Sequence, residues 1–196
     1  MKKVFLPLFL LGLAGTARAQ DVSLGLKAGG SLTTFSGDDA EGEDQKFGFH
    51  AGGFATLSIN STFAIQPELL YSQKGSKEKI GSSEVINRFN YIDVPLLLRV
   101  NARGLFFELG PQIGFLVAAK TEFGSLSQNI KDDFNRVDFG YIAGLGYRLA
   151  NGPGIGLRYN GGFTKLPKAV TVGNTTFQPD LRNSALQLYV SYSLGK

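Results

Sequence analysis

Residues 105–117, LFFELGPQIGFLV, carry Glu108 and Gln112 inside an otherwise oily run. Read with period two, Leu105, Phe107, Leu109, Pro111, Ile113, Phe115 and Val117 share one face, and Phe106, Glu108, Gly110, Gln112 and Gly114 share the other. That is the signature of a strand with one apolar face and one small or polar face. Seven further segments show the same alternation or strand composition, so that the eight cover roughly 22–35, 46–59, 63–76, 84–100, 105–121, 136–149, 154–166 and 183–194. Helical periodicity is weak throughout, and glycines scattered inside the runs argue against helices.

The connections alternate in length. Asn60-Ser61-Thr62, Asn101-Ala102-Arg103-Gly104 and Ala150-Asn151-Gly152-Pro153 are tight turns rich in turn formers. Between them lie longer polar segments: SGDDAEGEDQ, the stretch 75–83, EFGSLSQNIKDD and PKAVTVGNTTFQPD. In an up-and-down barrel this order places all short turns at one rim and all long loops at the other, as in outer-membrane barrels. Each run exceeds the ~9 to 11 residues that a tilted strand needs to cross a bilayer. The expected fold is therefore all-β, an eight-stranded antiparallel up-and-down transmembrane β-barrel.

The first nineteen residues have the order of a secretory signal peptide: Lys2 and Lys3, an apolar run from Val4 to Gly15, then Ala17-Arg18-Ala19. This divides the chain into a leader, 1–19, and a single barrel domain, 20–196. Setting aside Lys2, Lys3 and Arg18 leaves 17 of the 20 basic residues against 16 acidic ones, a net charge of +1. A nucleic-acid partner, which needs a concentrated basic patch, loses its support. With no Cys and one His, a structural zinc site has no ligand set.

A soluble barrel of calycin type would have the same period with its apolar face turned inward. Against it, the polar face is built mainly from Gly, Ala and Ser rather than the dense Lys and Glu of a wetted surface. Small residues suit the narrow interior of eight strands. On this register the lumen receives Glu68, Asp93, Glu108 and Asp138 together with Lys27, Arg99, Arg148 and Arg158. Four acids face four bases, and they are expected to form a structural charge network that plugs the barrel. Gln66, Gln112, Asn160 and Gln187 supply hydrogen bonds. The strand stagger, which decides the pairing, is not written in the alternation.

Other chemistries have weaker support. Glu68 and Glu108 resemble a glycosidase carboxylate pair, but lumen salt bridges account for them with fewer assumptions. His50 shares a strand face with Thr56 and Ser58, which admits a lipid hydrolase in the barrel wall, yet no Gly-x-Ser-x-Gly elbow is present. Asp38, Asp39, Glu41, Glu43 and Asp44 lack the spacing of an EF-hand loop. No catalytic residue, cofactor or metal is expected.

Six segments, IQPELLYSQKG (65–75), YIDVPLLLR (91–99), ELGPQIGFLV (108–117), DFGYIAGLGYRL (138–149), IGLRYNGGF (155–163) and RNSALQLYVSYSL (182–194), together resemble the PorT-type outer-membrane β-barrel proteins of Bacteroidetes. The resemblance implies an outer-membrane location, lipid contact and insertion by the barrel assembly machinery. The expected function is structural, or an interaction through the long extracellular loops. The alternatives are a barrel-wall enzyme on lipid or glycan, a soluble periplasmic lipid-binding barrel, or an accessory protein of a secretion system with a secretion-system or extracellular protein partner.

Overall fold

The alternating runs form eight long antiparallel strands that close on themselves. The computed structural model describes residues 22–80, 83–124, 126–173 and 175–194; the expected signal peptide, 1–19, lies outside the described residues. The ring is built from β1 (Val22–Ser36), β2 (Glu43–Ser58), β3 (Phe63–Ile80), β4 (Ser83–Ala102), β5 (Leu105–Phe123), β7 (Val137–Arg148), β8 (Pro153–Gly162) and β11 (Arg182–Ser193). Each strand pairs with its neighbour in the chain, and β11 returns to β1 from Gly25↔Ser193 to Ser36↔Arg182. Closure leaves none of these eight strands with a free edge at membrane depth, the condition for strands to cross lipid. Among the described residues no helix is long and apolar enough to do so.

The faces follow the alternation. Leu109, Leu145 and Leu188 are 59 %, 51 % and 56 % exposed on the outside, while Glu108 and Arg158 are 2 % and 1 % exposed within. Aromatic residues mark both edges of the outer apolar band: Phe63, Phe107, Tyr147 and Tyr192 near the short turns, and Phe49, Tyr71, Tyr141, Tyr159 and Phe163 toward the long loops. Such girdles sit at the two lipid–water interfaces.

Three lumen aromatics lie opposite glycines across the ladder, Phe54↔Gly25, Phe106↔Gly146 and Tyr189↔Gly156. A Cβ on any of the three glycines would run into the facing ring. Glycine is needed at these positions for the close approach, and each ring pins the register of its pair.

The strands differ in reach. β8 has 10 residues and β4 has 20. At about 3.3 Å per residue and a tilt of about 40°, β8 rises roughly 25 Å and β4 roughly 50 Å, against an apolar band of about 25 Å. Since the β3, β4 and β5 ends all meet at the short-turn rim, the excess projects from the long-loop rim. Residues 75–80 and 83, expected as part of a loop, thus continue the β3–β4 ladder, paired up to Ile80↔Ser83. Two other expected loops contain structure: β6 (Leu126–Asn129) pairs with β5, a 3-10 turn covers Lys131–Asp133, and β9 (Val170–Val172) pairs with β10 (Thr175–Phe177). β8 stops at Gly162, short of the expected 166, because the chain there leaves the wall and turns Leu166 inward over the mouth.

Candidate functional site: the filled lumen and its two mouths

Midway along the barrel, two cations and two carboxylates meet. Lys27 Nζ lies 2.6 Å from Glu68 Oε1 and 3.9 Å from Glu108 Oε2. Arg158 Nη1 lies 2.9 Å from Glu68 Oε2 and 3.8 Å from Glu108 Oε1. All four side chains are buried. Lys27 reaches across β2 to β3 because its ladder partner there is Gly52, which has no side chain to block the path. Tyr189 donates its hydroxyl to Glu108 at 3.0 Å, and Lys27 Nζ sits 4.0 Å from the centre of the same ring.

Amides and hydroxyls extend this cluster. Gln66 donates to Glu68 Oε1 at 2.7 Å and accepts from Thr56 at 3.1 Å and from Arg99 Nη1 at 2.8 Å. Arg158 Nε donates to Gln187 at 2.7 Å, Gln187 donates to Ser31 at 3.3 Å, and Ser31 shares a 3.0 Å bond with His50 Nδ1. Gln112 and Asn160 pair with each other. Toward the long loops a second cluster forms, with Lys74 Nζ 3.2 Å from Asp93 and 3.9 Å from Asp138, and Asn183 donating to Asp138 at 2.8 Å.

The eight charges anticipated for the lumen therefore divide. Lys27, Glu68, Glu108 and Arg158 are brought together, and Asp93 and Asp138 meet the unanticipated Lys74. Arg99 has an amide partner and a stacking contact, its Cζ 3.6 Å from the Phe106 ring centre, but forms no ion pair among the described residues. Arg148 lies in the wall of the short-turn mouth. Lys74 shares the face of Glu68 and Ser72, so the alternation could have found it; its place beside the expected loop at 75 hid it. His50 meets Ser31, not Thr56 or Ser58, and its Nε2 has no partner among the described residues. No group of three or more His, Cys, Asp and Glu side chains among the described residues could hold a metal ion.

An apolar lid covers the long-loop mouth. Phe35, Phe89, Tyr91, Leu116, Ala119 and Leu166 form a buried cluster, with Ala40, Ile130, Phe134 and Leu181 packed against it from the loops. The loops are joined above it: Asn135 N donates to Leu166 O at 2.8 Å, Lys168 N to Asp133 O at 2.9 Å, and Asp180 N to the Asp39 carboxylate at 2.7 Å. The opposite mouth is a polar vestibule of about 840 Å³.

A closed ring of eight antiparallel strands, apolar outside and charged within, is the architecture shared with known proteins. The profile described as "Outer membrane protein beta-barrel domain" matches residues 18–167. The chain belongs to this family. As an outer membrane protein beta-barrel domain it resides in the bacterial outer membrane, with its apolar band against lipid. In fold it is similar to Neisserial surface protein A, at a TM-score of 0.55 and 16 % identity over 87 % of this chain and 97 % of that one. The attachment invasion locus protein Ail of Yersinia pestis, in complex with the heparin analogue sucrose octasulfate, gives 0.51 and 16 % over 88 % and 99 %. No curated protein matches the chain.

Proposed function

We propose that this barrel is a non-enzymatic outer-membrane protein, closed to through-flow, that acts through contacts made by its extracellular loops with a macromolecule outside the cell. One observation carries the reading: the lumen is filled by two charged layers and an apolar lid, while apolar side chains stand exposed well beyond the membrane band. Phe123, Leu126, Val170 and Phe177 are exposed on the β5–β6 and β9–β10 hairpins. Tips that contribute nothing to the barrel's own core yet present aromatic and aliphatic groups are the usual anchors of an interface. The overshooting β3–β5 sheet gives them a stiff base, and ion pairs such as Lys77–Glu84 at 3.0 Å and Arg88–Glu122 at 3.0 Å suit its wetted part.

In this reading the sequence-predicted lumen charges, with Lys74, brace and plug the barrel and have no catalytic part. The resemblance of six segments to PorT-type barrels of Bacteroidetes supports placing the chain in that branch, with insertion by the barrel assembly machinery; no residue marks the secretion role of that branch. Planar-bilayer recording of the refolded protein tests the plug. The expected trace shows no large stable conductance steps, and porin-like steps would overturn the closed lumen. Replacing Phe123, Leu126, Val170 and Phe177 together by Ser is expected to abolish attachment of expressing cells to host-surface or neighbouring-cell material without altering the heat-modifiable band of the folded barrel. Unchanged attachment would remove the loop tips from the function.

A further inference from the structure

At the long-loop end of β4 and β5 the oily outer wall gives way to cations. On β4 the outward positions run Leu98, Leu96, Val94 and Ile92, then Asn90 and Arg88. On β5 they run Ile113, Phe115 and Val117, and past the bulge beside Tyr91 they continue with Ala118 and Lys120. Arg88 lies two residues beyond Asn90, the first polar position of its strand. At about 3.3 Å per residue and a tilt of about 40° that is roughly 5 Å higher, inside a head-group layer about 5 to 7 Å deep on each side of the hydrocarbon.

At that level Arg88 and Lys120 are direct partners across the ladder, on one face. Such partners hold their Cβ atoms only about 4.5 to 5.5 Å apart, and like charges there are destabilising. The core does not require them, since both side chains point outward: Lys120 is exposed and the Arg88 side chain is 36 % exposed. A neutral residue would serve the strand as well at either position.

Neighbouring carboxylates do not cancel the excess. Lys77 is matched by Glu84 at 3.0 Å, Lys79 by Asp44 at 4.0 Å and Arg88 by Glu122 at 3.0 Å. Elsewhere at this end Arg136 is matched by Asp132 at 3.2 Å and Arg182 by Asp180 at 2.8 Å. Lys120 has no ion-pair or hydrogen-bond partner among the described residues. Lys46 is buried with its Nζ on two neutral acceptors, Phe47 O at 3.3 Å and Gln73 Oε1 at 3.4 Å, and the Arg88 charge bears on it. Two positive charges therefore stand unanswered beside Arg88, one at the surface and one beneath it.

We propose that this face of β3–β5 is a docking surface for the phosphorylated head group of an outer-leaflet lipid. The phosphate sits between the Lys120 ammonium and the exposed part of the Arg88 guanidinium and turns a repulsive pair into two charge-assisted hydrogen bonds. Lys46 adds positive potential from below without touching it. The wall directly beneath consists of the ladder pairs Ile92↔Phe115 and Val94↔Ile113, which face the hydrocarbon. A molecule that meets both surfaces is anionic at one end and apolar at the other, which selects a lipid over a soluble anion. Basic clusters at a membrane surface hold anionic head groups in this way.

The test uses the full mature protein refolded in dodecyl maltoside, which carries no phosphate. It is mixed with diphosphoryl lipid A, or with the same lipid after phosphatase treatment, and the lipid retained per barrel is counted by native mass spectrometry. One diphosphoryl molecule per barrel is expected, held about fivefold better or more than the dephosphorylated lipid. Lys120→Gln and Arg88→Gln should each weaken retention about fivefold, Lys120→Arg should keep it, and Arg103→Gln at the opposite rim should leave it unchanged. A second measurement needs no ligand: with the repulsion relieved, Lys120→Gln should unfold at a higher urea concentration than wild type. Retention that ignores the phosphates, survives Lys120→Gln or falls equally in Arg103→Gln would overturn the site, as would a urea midpoint for Lys120→Gln no higher than that of wild type. Glucosamine 1-phosphate, titrated by calorimetry, should show no saturable binding; saturable binding lost in Lys120→Gln would assign a soluble phosphate compound and overturn the lipid.

Discussion

Glu68 receives Lys27, Gln66 and Arg158 on its two oxygens, so each cation it loses leaves a carboxylate in a dry interior. Removing one partner of a buried ion pair costs about 3 to 5 kcal/mol, much more than the pair contributes over an apolar substitute. Arg158→Ala is therefore expected to lower the unfolding free energy by about that amount, read from the urea midpoint at which the heat-modifiable band is lost. Lys168→Ala, exposed on a loop, should change it by less than about 0.5 kcal/mol. In a cycle of Glu68→Gln and Arg158→Gln, the double variant should lie at least about 1 kcal/mol above the sum of the singles; simple additivity would show that the two charges do not act together. Lys27, Glu68, Glu108 and Arg158 were legible as inward residues because period two fixes the face. Their pairing was not, because it depends on stagger and on a gap, Gly52, through which Lys27 passes to a strand that is not its neighbour.

Strand alternation survives only where one face meets lipid, and this limits what the sequence reveals of the elements. Within the band, β7 and β11 begin and end within a residue or two of their expected limits. Above it both faces of the β3–β4 hairpin are wet, so Lys77, Glu78, Lys79 and Glu84 show no alternation and read as loop although the ladder continues. The loops over the mouth are held by another kind of signal, local polar contacts. Asp180 joins Lys165 at 3.3 Å and Arg182 at 2.8 Å, and through its backbone N–H meets Asp39. Partial burial acts to raise the Asp180 carboxyl, but the hydrogen bonds and charges of Lys165 and Arg182 outweigh it and hold the group below the ordinary carboxylate range. The clamp is therefore fully present above the unfolded value of about 3.9 and is lost only as pH falls through the lower folded value. Limited proteolysis across 163–181 should stay slow from neutral pH to about 4 and rise below it, whereas Asp180→Asn should be cut rapidly at neutral pH. Equal cleavage of the two at neutral pH would show that the carboxylate is not what holds the loops.

For the molecule as a whole, the decisive choice is which face meets solvent, since the same alternation would build a soluble barrel with the faces exchanged. The cost of the wrong choice is large in either medium. In water, an uninterrupted belt containing Leu109, Leu145, Leu157 and Leu188 would exceed by far the few hundred Å² of contiguous apolar surface that monomers tolerate. In lipid, the outward face carries no such penalty, and Lys27, Lys74 and Arg158 meet the lumen carboxylates inside. This arrangement makes the outer wall and the vestibule distinguishable by what reaches them. A nitroxide at Leu145 in reconstituted vesicles should be relaxed by oxygen, which concentrates in the hydrocarbon, and protected from a water-soluble nickel chelate. One at Ser58, in the vestibule wall, should show the reverse. The vestibule is wide enough for a label, while the layers above it are packed with side chains. Nickel access at Leu145 combined with oxygen access at Ser58 would mean that the sheet is rolled the other way, and the filled lumen would fall with it.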